Sequence, residues 1–245
     1  MARIFITGSA DGIGQLAAKA LVEQGHEVVL HARNEQRGRE ALAHVPGAHS
    51  VVTADLADTD ETKNLAAKVN ALGRFDAVIH NAAIKDTPGG TLFTVNTLAP
   101  YVLTCLIQRP ERLIYLSSDM HNGGRAKLDV FKTDPARVNY SDSKLHVLML
   151  AKAVARRWPD VYANALSPGW VPTKMGGASA PDSLESGYQT QVWLATTDDP
   201  AAKVSGRYFF HHREAPHNPE ADDIDLQDKF IALCEQITGV PFPSN

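Results

Sequence analysis

Residues 3–14 read Arg-Ile-Phe-Ile-Thr-Gly-Ser-Ala-Asp-Gly-Ile-Gly, an apolar run that passes into a turn with three glycines. Apolar residues then recur at helical spacing from Ile13 to Gln24, so this stretch predicts a strand, a glycine turn and a helix in direct succession. Gly25 follows the helix and can adopt the left-handed conformation of a helix cap without steric cost. A strand that leads into a helix in this way is the first half of a βαβ unit and indicates an α/β fold.

The same alternation of strand and helix patterns continues along the chain. Short β-rich runs between longer helical stretches are typical of right-handed βαβ units, which build a parallel sheet with helices on both faces. We therefore expect one doubly wound Rossmann-type domain over residues 1–245, with a mostly parallel seven-stranded sheet. A substrate loop is expected at about 174–190 and a C-terminal extension at about 211–245. The expected strands are residues 4–7, 27–31, 50–54, 75–80, 112–117, 161–166 and 207–210.

Composition and charge exclude several classes of function. The net charge of −4 and the isoelectric point of about 6.2 give no overall attraction to nucleic acid. Cys105 and Cys234 are the only cysteines and form no CxxC pair, so neither a disulfide framework nor a thiolate zinc site is indicated. The most apolar helical stretch, residues 145–155, is interrupted by Lys152 and is too short for a bilayer of about 30 Å. We expect a soluble, cytoplasmic protein with a small-molecule partner and no membrane association, and a homo-oligomer stays open.

The glycine turn has the features of a phosphate-binding loop. Gly8 can make the tight turn, Gly12 lets the backbone approach a pyrophosphate, and Gly14 lets the helix pack closely on the sheet. The N-terminus of the helix adds free N–H donors and partial positive charge. The spacing is GxxxGxG rather than GxGxxG, and many strand-to-helix turns need glycine for other reasons. The loop alone therefore leaves nucleotide binding and a purely structural turn both open.

The end of the second predicted strand distinguishes between two dinucleotides. Ala32 stands where a site for NAD carries a carboxylate for the ribose 2′-hydroxyl, and an acid there would repel a 2′-phosphate. Arg33 beside it can form charge-assisted bonds with that phosphate, which favours NADP(H) over NAD(H). The alternative is that Arg33 is a solvated loop residue, and Arg37 in the next helix could share the phosphate.

A tyrosine and a lysine four residues apart open the helix that begins near residue 140. Tyr140 and Lys144 lie on one helical face, where an ammonium group stabilises a phenolate and lowers the tyrosine pKa. This pair alone is common, and taken by itself it is more often a surface tyrosine beside a lysine. Ser117 and Ser118 end a buried strand upstream, and Asn96 begins the preceding helix.

Taken in order, these motifs resemble those of the short-chain dehydrogenase/reductase family, in its NADP-linked branch. The resemblance covers residues 1 to about 210, with an alanine, Ala83, where the family carries a glycine after Asn81-Ala82. The matching pieces are Thr7-Gly8-x-x-x-Gly12-x-Gly14, Asp55-Leu56, Asn81-Ala82-Ala83, Val95-Asn96, Ser117-Ser118, Tyr140-x-x-x-Lys144 and Pro168-Gly169-x-x-x-Thr173.

The resemblance implies a role for each matching residue. Tyr140 is then the general acid, Ser118 hydrogen-bonds the substrate oxygen, and Lys144 lowers the tyrosine pKa and holds the nicotinamide ribose. Asn96 shapes its helix and holds a water that links Lys144 to solvent. The implied cofactor-binding residues are Gly8, Ser9, Asp11, Gly12, Ile13, Gly14, Arg33, Asp55, Leu56, Asn81, Ala82, Ala83, Tyr140, Lys144, Pro168, Gly169, Val171 and Thr173.

The function that the resemblance implies is that of an NADP(H)-dependent oxidoreductase, which would transfer hydride between the nicotinamide and a carbonyl or alcohol group of a small molecule. A non-catalytic NADP-binding regulatory protein is the alternative, although a regulator does not need the four catalytic residues. An epimerase or dehydratase of nucleotide sugars would usually require a larger C-terminal domain. No metal site is expected, because the histidines and acids of residues 211–223 fit a solvated loop. His121 and Trp170 are weaker candidates for the substrate pocket, and each fits a structural role as well.

Overall fold

One eight-stranded sheet runs through the molecule in the computed structural model, which describes residues 1–244. The strand order is β3-β2-β1-β4-β5-β6-β7-β8, and every neighbouring pair is parallel except β7 and β8. The order reverses direction between β1 and β4, so their carboxyl ends border a crevice in which open α/β sheets bind ligands. The strands are β1 (Arg3–Ile6), β2 (Glu27–Ala32), β3 (Ser50–Thr53), β4 (Ala77–His80), β5 (Arg112–Leu116), β6 (Tyr162–Ser167), β7 (Tyr208–Phe210) and β8 (Arg213–Glu214).

In the part of the chain that the structure describes, eight α-helices cover the two faces of the sheet. Neighbouring residues of β1 separate the two cores, since Ile4 and Ile6 pack on one side with α1, α2 and α7, and Phe5 packs on the other with α3, α5, α6 and α8. Among residues 1–244, no helix is both long enough and apolar enough to cross a membrane. The helices are α1 (Gly12–Glu23), α2 (Glu35–His44), α3 (Thr59–Ala71), α4 (Gly89–Phe93), α5 (Ala99–Leu106), α6 (Tyr140–Arg157), α7 (Leu184–Thr196) and α8 (Ile224–Thr238).

The expected doubly wound α/β fold and its seven parallel strands are confirmed, but the expected strand count is one too low. β8 pairs antiparallel with β7 through Phe210 and Arg213. The two residues between them, His211 and His212, both have positive φ, at 45° and 64°. A two-residue hairpin requires this backbone and usually supplies it with Asn-Gly, so the His-His pair gave no sign of the turn.

The loop after β6 ends earlier in the chain than the substrate loop expected at about 174–190. Ser183 caps α7, with its hydroxyl accepting the Ser186 N–H at 3.0 Å, and α7 begins at Leu184. The segment before it is held by its own hydrogen bonds, from the Trp170 N–H to Asp182 at 2.7 Å and from the Trp170 indole to the Gly176 carbonyl at 2.7 Å. Residues 184–190 therefore belong to a helix, and the loop itself ends at Ser183.

The residues after β7 return to the core. Phe230, on α8, is fully buried, and its ring centroid lies 6.0 Å from that of Phe131 and 5.7 Å from that of His146 on α6. The Tyr101 hydroxyl donates to the Val240 carbonyl at 2.8 Å. The last helix thus closes the same hydrophobic core that carries α6.

Phe230→Ala is expected to lower the free energy of unfolding by about 3–5 kcal/mol, because it leaves a cavity between α6 and α8. Urea denaturation measures the change. The matched control is Ile224→Ala on the same helix, whose side chain is 53% exposed, and its expected effect is below about 0.5 kcal/mol. Equal losses for the two variants would show that α8 contributes no packing.

Candidate active site

A cleft of about 1180 Å³ opens at the carboxyl edge of the sheet. Its wall comes from the segments that follow β1, β2, β3, β4, β5 and β6, together with the start of α6. All of the site residues expected from the sequence line it except Ser9 and Asn96. The tertiary structure therefore brings seven separate stretches of sequence to one surface.

The glycine turn is fixed by contacts that only glycine permits. Gly8 has a φ of 63°, a conformation that disfavours other residues. A Cβ on Gly14 would lie 2.3 Å from the Asn81 side-chain nitrogen, which donates to the carbonyls of Thr7 and Gly8. Gly14 thus lets the end of β4 hold the turn after β1.

His31 supports this turn and was not anticipated from the sequence. Its Nδ1 accepts the Gly8 N–H at 2.9 Å, so its Nε2 carries the proton and donates to the Ala54 carbonyl at 3.1 Å. Burial lowers the pKa of His31 to about 4, so the ring is neutral at physiological pH. Ser9 faces the same inner side, since its hydroxyl donates to Ile6 and accepts the His31 N–H, each at 2.9 Å.

The start of α1 offers hydrogen-bond donors to the cleft. Asp11 caps the helix, accepting the Gly12 N–H at 2.7 Å. Ile13 and Gly14 line the cleft, and their N–H groups have no acceptor within residues 1–244. These free donors and the positive end of the helix can bind an anion.

Two cations lie against the Asp11 carboxylate. Lys174 Nζ is 2.5 Å from its Oδ2, and a guanidinium nitrogen of Arg37 is 3.1 Å from the same oxygen. Burial opposes the ionisation of Asp11, but the hydrogen bonds from Lys174, the Gly12 N–H and Arg37 outweigh it and hold its pKa below the ordinary value. The Lys174 contact also ties the segment after β6 to the glycine turn.

Two arginines line the cleft after β2. Ala32 is buried and neutral there, and the exposed Arg33 and the half-buried Arg37 line the same wall. Asp55 and Leu56 also line the cleft. The sequence analysis favoured Arg33 over Arg37 as the partner of a 2′-phosphate. In the structure, Arg37 is fixed by ion pairs with Asp11 and with Glu40, the latter at 3.2 Å.

Tyr140 and Lys144 stand together at the start of α6, as their spacing predicts. Asn139 and Asp142 form a capping box that sets the first turn of the helix. Lys144 is buried, and its Nζ donates to the Leu116 carbonyl at 2.8 Å and lies 5.5 Å from the centre of the Tyr140 ring. The Ser117 hydroxyl donates to the Lys144 carbonyl at 2.7 Å, which fixes α6 against the end of β5.

The protonation states at this pair differ from the sequence expectation. Burial raises the pKa of Tyr140 to about 12, against the opposing effect of the Ser118 hydroxyl. Burial also lowers the pKa of Lys144 to about 7. The Lys144 Nζ donates to a backbone carbonyl and not to the phenol. Burial therefore raises the Tyr140 pKa, where the sequence predicted that the Lys144 charge would lower it. Tyr140 is therefore a protonated phenol in this structure, suited to donate a proton.

Asn96 lies behind the cleft wall rather than on it. It sits in a single π-turn, Thr94–Leu98, a helical irregularity that often occurs at functional sites. Its side chain accepts the Ile84 N–H at 2.8 Å and donates to the Ile84 carbonyl at 2.9 Å and to Ser143 at 3.1 Å. Asn96 thus joins the segment after β4 to α6.

The end of the cleft that contains Tyr140 has an apolar mouth. Trp170, Met120 and Met175 line it, and the Tyr140 hydroxyl donates to the Met175 sulfur at 3.8 Å. His121 is not part of this wall, since it is buried and its ring donates to the Ser118 carbonyl at 2.6 Å and accepts the Asn218 N–H at 3.2 Å. Nothing in the sequence pattern distinguishes the two methionines from core residues.

Comparisons with known proteins agree with this architecture. A family model described as short chain dehydrogenase matches residues 2–104. The chain is 44% identical to an uncharacterized oxidoreductase of Emericella nidulans, with 99% of each chain covered. It is 40% identical to the short-chain dehydrogenase chyC of Penicillium rubens over the whole of both chains. A crystal structure of an uncharacterized protein from Mycobacterium paratuberculosis superposes with a TM-score of 0.83 at 25% identity, covering 99% of this chain and 95% of that one.

Proposed function

Because the chain belongs to the short-chain dehydrogenase family, we propose that it is an NADP(H)-dependent oxidoreductase acting on a carbonyl or alcohol group of a small molecule. The observation that carries the proposal is the placement of Tyr140, Ser118 and Lys144 on one wall of the cleft that also contains the glycine turn. One cleft thus joins a proton donor to an anion-binding loop.

The shape and polarity of the cleft fit an extended dinucleotide. The free N–H groups at the start of α1 would hold the pyrophosphate, and Asp55 and Leu56 would border the adenine. Lys144 and the segment from Pro168 to Thr173 would hold the nicotinamide end. When bound, NADP(H) supplies or accepts the hydride.

In carbonyl reduction, Tyr140 gives its proton to the substrate oxygen. Its raised pKa keeps the phenol protonated at neutral pH, and Ser118 donates a second hydrogen bond to the oxygen as negative charge develops there. Lys144 stabilises the phenolate that the transfer leaves behind. Asn96 keeps α6 and the segment after β4 in register, so it positions the pair without touching the substrate.

A spectrophotometric screen tests the activity. NADPH absorbance is followed with aliphatic, aromatic, quinone, steroid and retinoid carbonyls, and robust oxidation of NADPH by any of them is expected. Tight NADPH binding by calorimetry with no turnover across the panel would instead favour the non-catalytic NADP-binding regulator.

NADPH is expected to bind about 10- to 100-fold more tightly than NADH, because only NADPH carries a phosphate that can pair with a guanidinium. Ala32→Asp combined with Arg33→Ser should reverse this preference, since the new carboxylate repels the phosphate and accepts a ribose hydroxyl. Arg33→Ser alone should only weaken it, because Arg37 remains on the same wall. Isothermal titration calorimetry at low salt gives both dissociation constants.

Arg39→Ser is the matched control, since Arg39 is exposed on the same helix as Arg37 and is not part of the cleft wall. It should leave the ratio of the two dissociation constants unchanged. Equal affinities of the wild-type protein for NADPH and NADH would overturn the assignment of cofactor preference.

A further inference from the structure

Lys85 brings a cation to the catalytic end of the cleft. It lines the wall beside Tyr140, and its Nζ lies 5.7 Å from the centre of the tyrosine ring. Within residues 1–244, no carboxylate is close enough to its Nζ to form an ion pair. Asp119 also lines the cleft, but its Oδ1 accepts the Tyr208 hydroxyl at 2.7 Å.

The backbone holds Lys85 in this position from both sides. Ile84, immediately before it, is fixed by the two hydrogen bonds to Asn96. Asp86, immediately after it, has a φ of 57°, a left-handed conformation that is costly for a residue other than glycine. The hydrogen bonds of Ile84 to Asn96 thus fix the backbone from which the Lys85 side chain enters the cleft.

The cleft that Lys85 lines also carries large exposed apolar side chains. Met120, Trp170 and Met175 are 46%, 56% and 42% exposed, and they line the same cleft. Large apolar side chains rimming a site with one charged group are typical of a pocket for an organic ligand, whose single polar group fixes its orientation. Lys85 is half-buried and has no negatively charged partner within residues 1–244, so a bound ligand can supply the negative charge.

We propose that Lys85 binds a carboxylate of the substrate, so that the enzyme prefers carbonyl compounds that combine an apolar or aromatic body with an acid group. The inference rests on the proposed function, since Tyr140 and Ser118 then bind the carbonyl oxygen of the same molecule. Lysine suits this role because its ammonium is a compact charge that bonds a carboxylate strongly. Lys85 is thus a specificity-determining residue.

The test compares acetylbenzoates, in their ortho, meta and para isomers, with the corresponding acetylbenzamides. For the isomer that fits best, kcat/KM of the acid should exceed that of the amide by about 10- to 100-fold. Lys85→Met should bring this ratio close to one, and Lys85→Arg should retain most of it. Lys63→Met, which removes a half-exposed lysine of α3 that does not line the cleft, should leave the ratio at the wild-type value.

A binding measurement separates this inference from the proposed function. Benzoate should bind the wild-type protein more tightly than benzamide by calorimetry, and Lys85→Met should abolish the difference. If no ketone is reduced but this binding difference is present, the carboxylate site stands and the proposed activity fails.

Three results would overturn the inference. Equal affinities for benzoate and benzamide in the wild type would show that no carboxylate site exists. Equal kcat/KM for acids and amides would show that Lys85 does not select substrates. A parallel loss of both activities in Lys85→Met, with an unchanged ratio, would show that Lys85 acts on Tyr140 instead.

Discussion

Tyr140→Phe is expected to lower kcat for a good carbonyl substrate by about 10²- to 10⁴-fold, the usual effect of removing a general acid. The variant keeps the aromatic ring that lines the cleft and loses only the hydroxyl that donates the proton. NADPH affinity should therefore change little. Steady-state kinetics with a saturating ketone, together with calorimetric titration of NADPH, measures the two quantities separately.

Tyr115→Phe provides the matched control. Tyr115 lies on β5, is fully buried and shares a hydrogen bond with Thr104 at 2.9 Å, but it does not line the cleft. Its loss should cost roughly 1 kcal/mol of stability and leave turnover almost unchanged. If Tyr140→Phe keeps more than about a tenth of wild-type turnover, Tyr140 is not the acid.

Lys144→Met is expected to reduce turnover by about 10²-fold or more, because the phenolate left by proton transfer loses its nearby ammonium. The same change should increase stability at acid and neutral pH. The folded protein buries Lys144 and lowers its pKa to about 7, and the unfolded chain holds the proton up to about pH 10.4. The free-energy cost of burying Lys144 in the wild type is therefore largest at pH values at which the side chain is charged.

The pH dependence follows from the protons bound in each state. Between pH 7 and about 10.4 the unfolded chain binds more protons at this residue, so the contribution of Lys144 to stability rises with pH. Below pH 7 both states are protonated, and the penalty is complete. Lys144→Met should exceed the wild type in unfolding free energy by roughly 1–4 kcal/mol at pH 6, and this advantage should shrink towards pH 10.

Urea denaturation at pH 6, 8 and 10 measures this trend. Lys152→Met on the same helix is the control, since Lys152 forms an ion pair with Asp222 at 2.6 Å and its loss should lower stability. A Lys144→Met variant that is less stable than the wild type at all three pH values would show that Lys144 contributes more through its bond to Leu116 than it costs by burial.

The hairpin after β7 could not be predicted from the local sequence pattern. The seven parallel strands appear in the sequence because alternating β and α patterns and their punctuating glycines are local properties. Arg213 and Glu214 form the eighth strand only because His211 and His212 adopt positive φ. The His212 N–H donates to the Thr190 hydroxyl on α7 at 3.1 Å, a contact between distant segments, and the residue types do not predict the turn.

The site divides in the same way. Residues that act through local geometry could be identified from the sequence, as with Tyr140 and Lys144 four apart on a helix or Gly8 in a tight turn. The contacts of Arg37, Lys174 and Lys85 could not be predicted from the sequence. Arg37 and Lys174 reach Asp11, and Lys85 reaches the Tyr140 ring, only after distant segments come together.

The sequence by itself determined the α/β fold, the glycine turn and the order of the catalytic motifs, since helical spacing and backbone sterics depend on near neighbours. Tertiary structure alone decided the protonation of Tyr140 and Lys144, which follows from burial by elements far away in the chain. It also decided which cations face the cleft and which are already paired, because the electrostatic energy of a charge depends on everything packed around it.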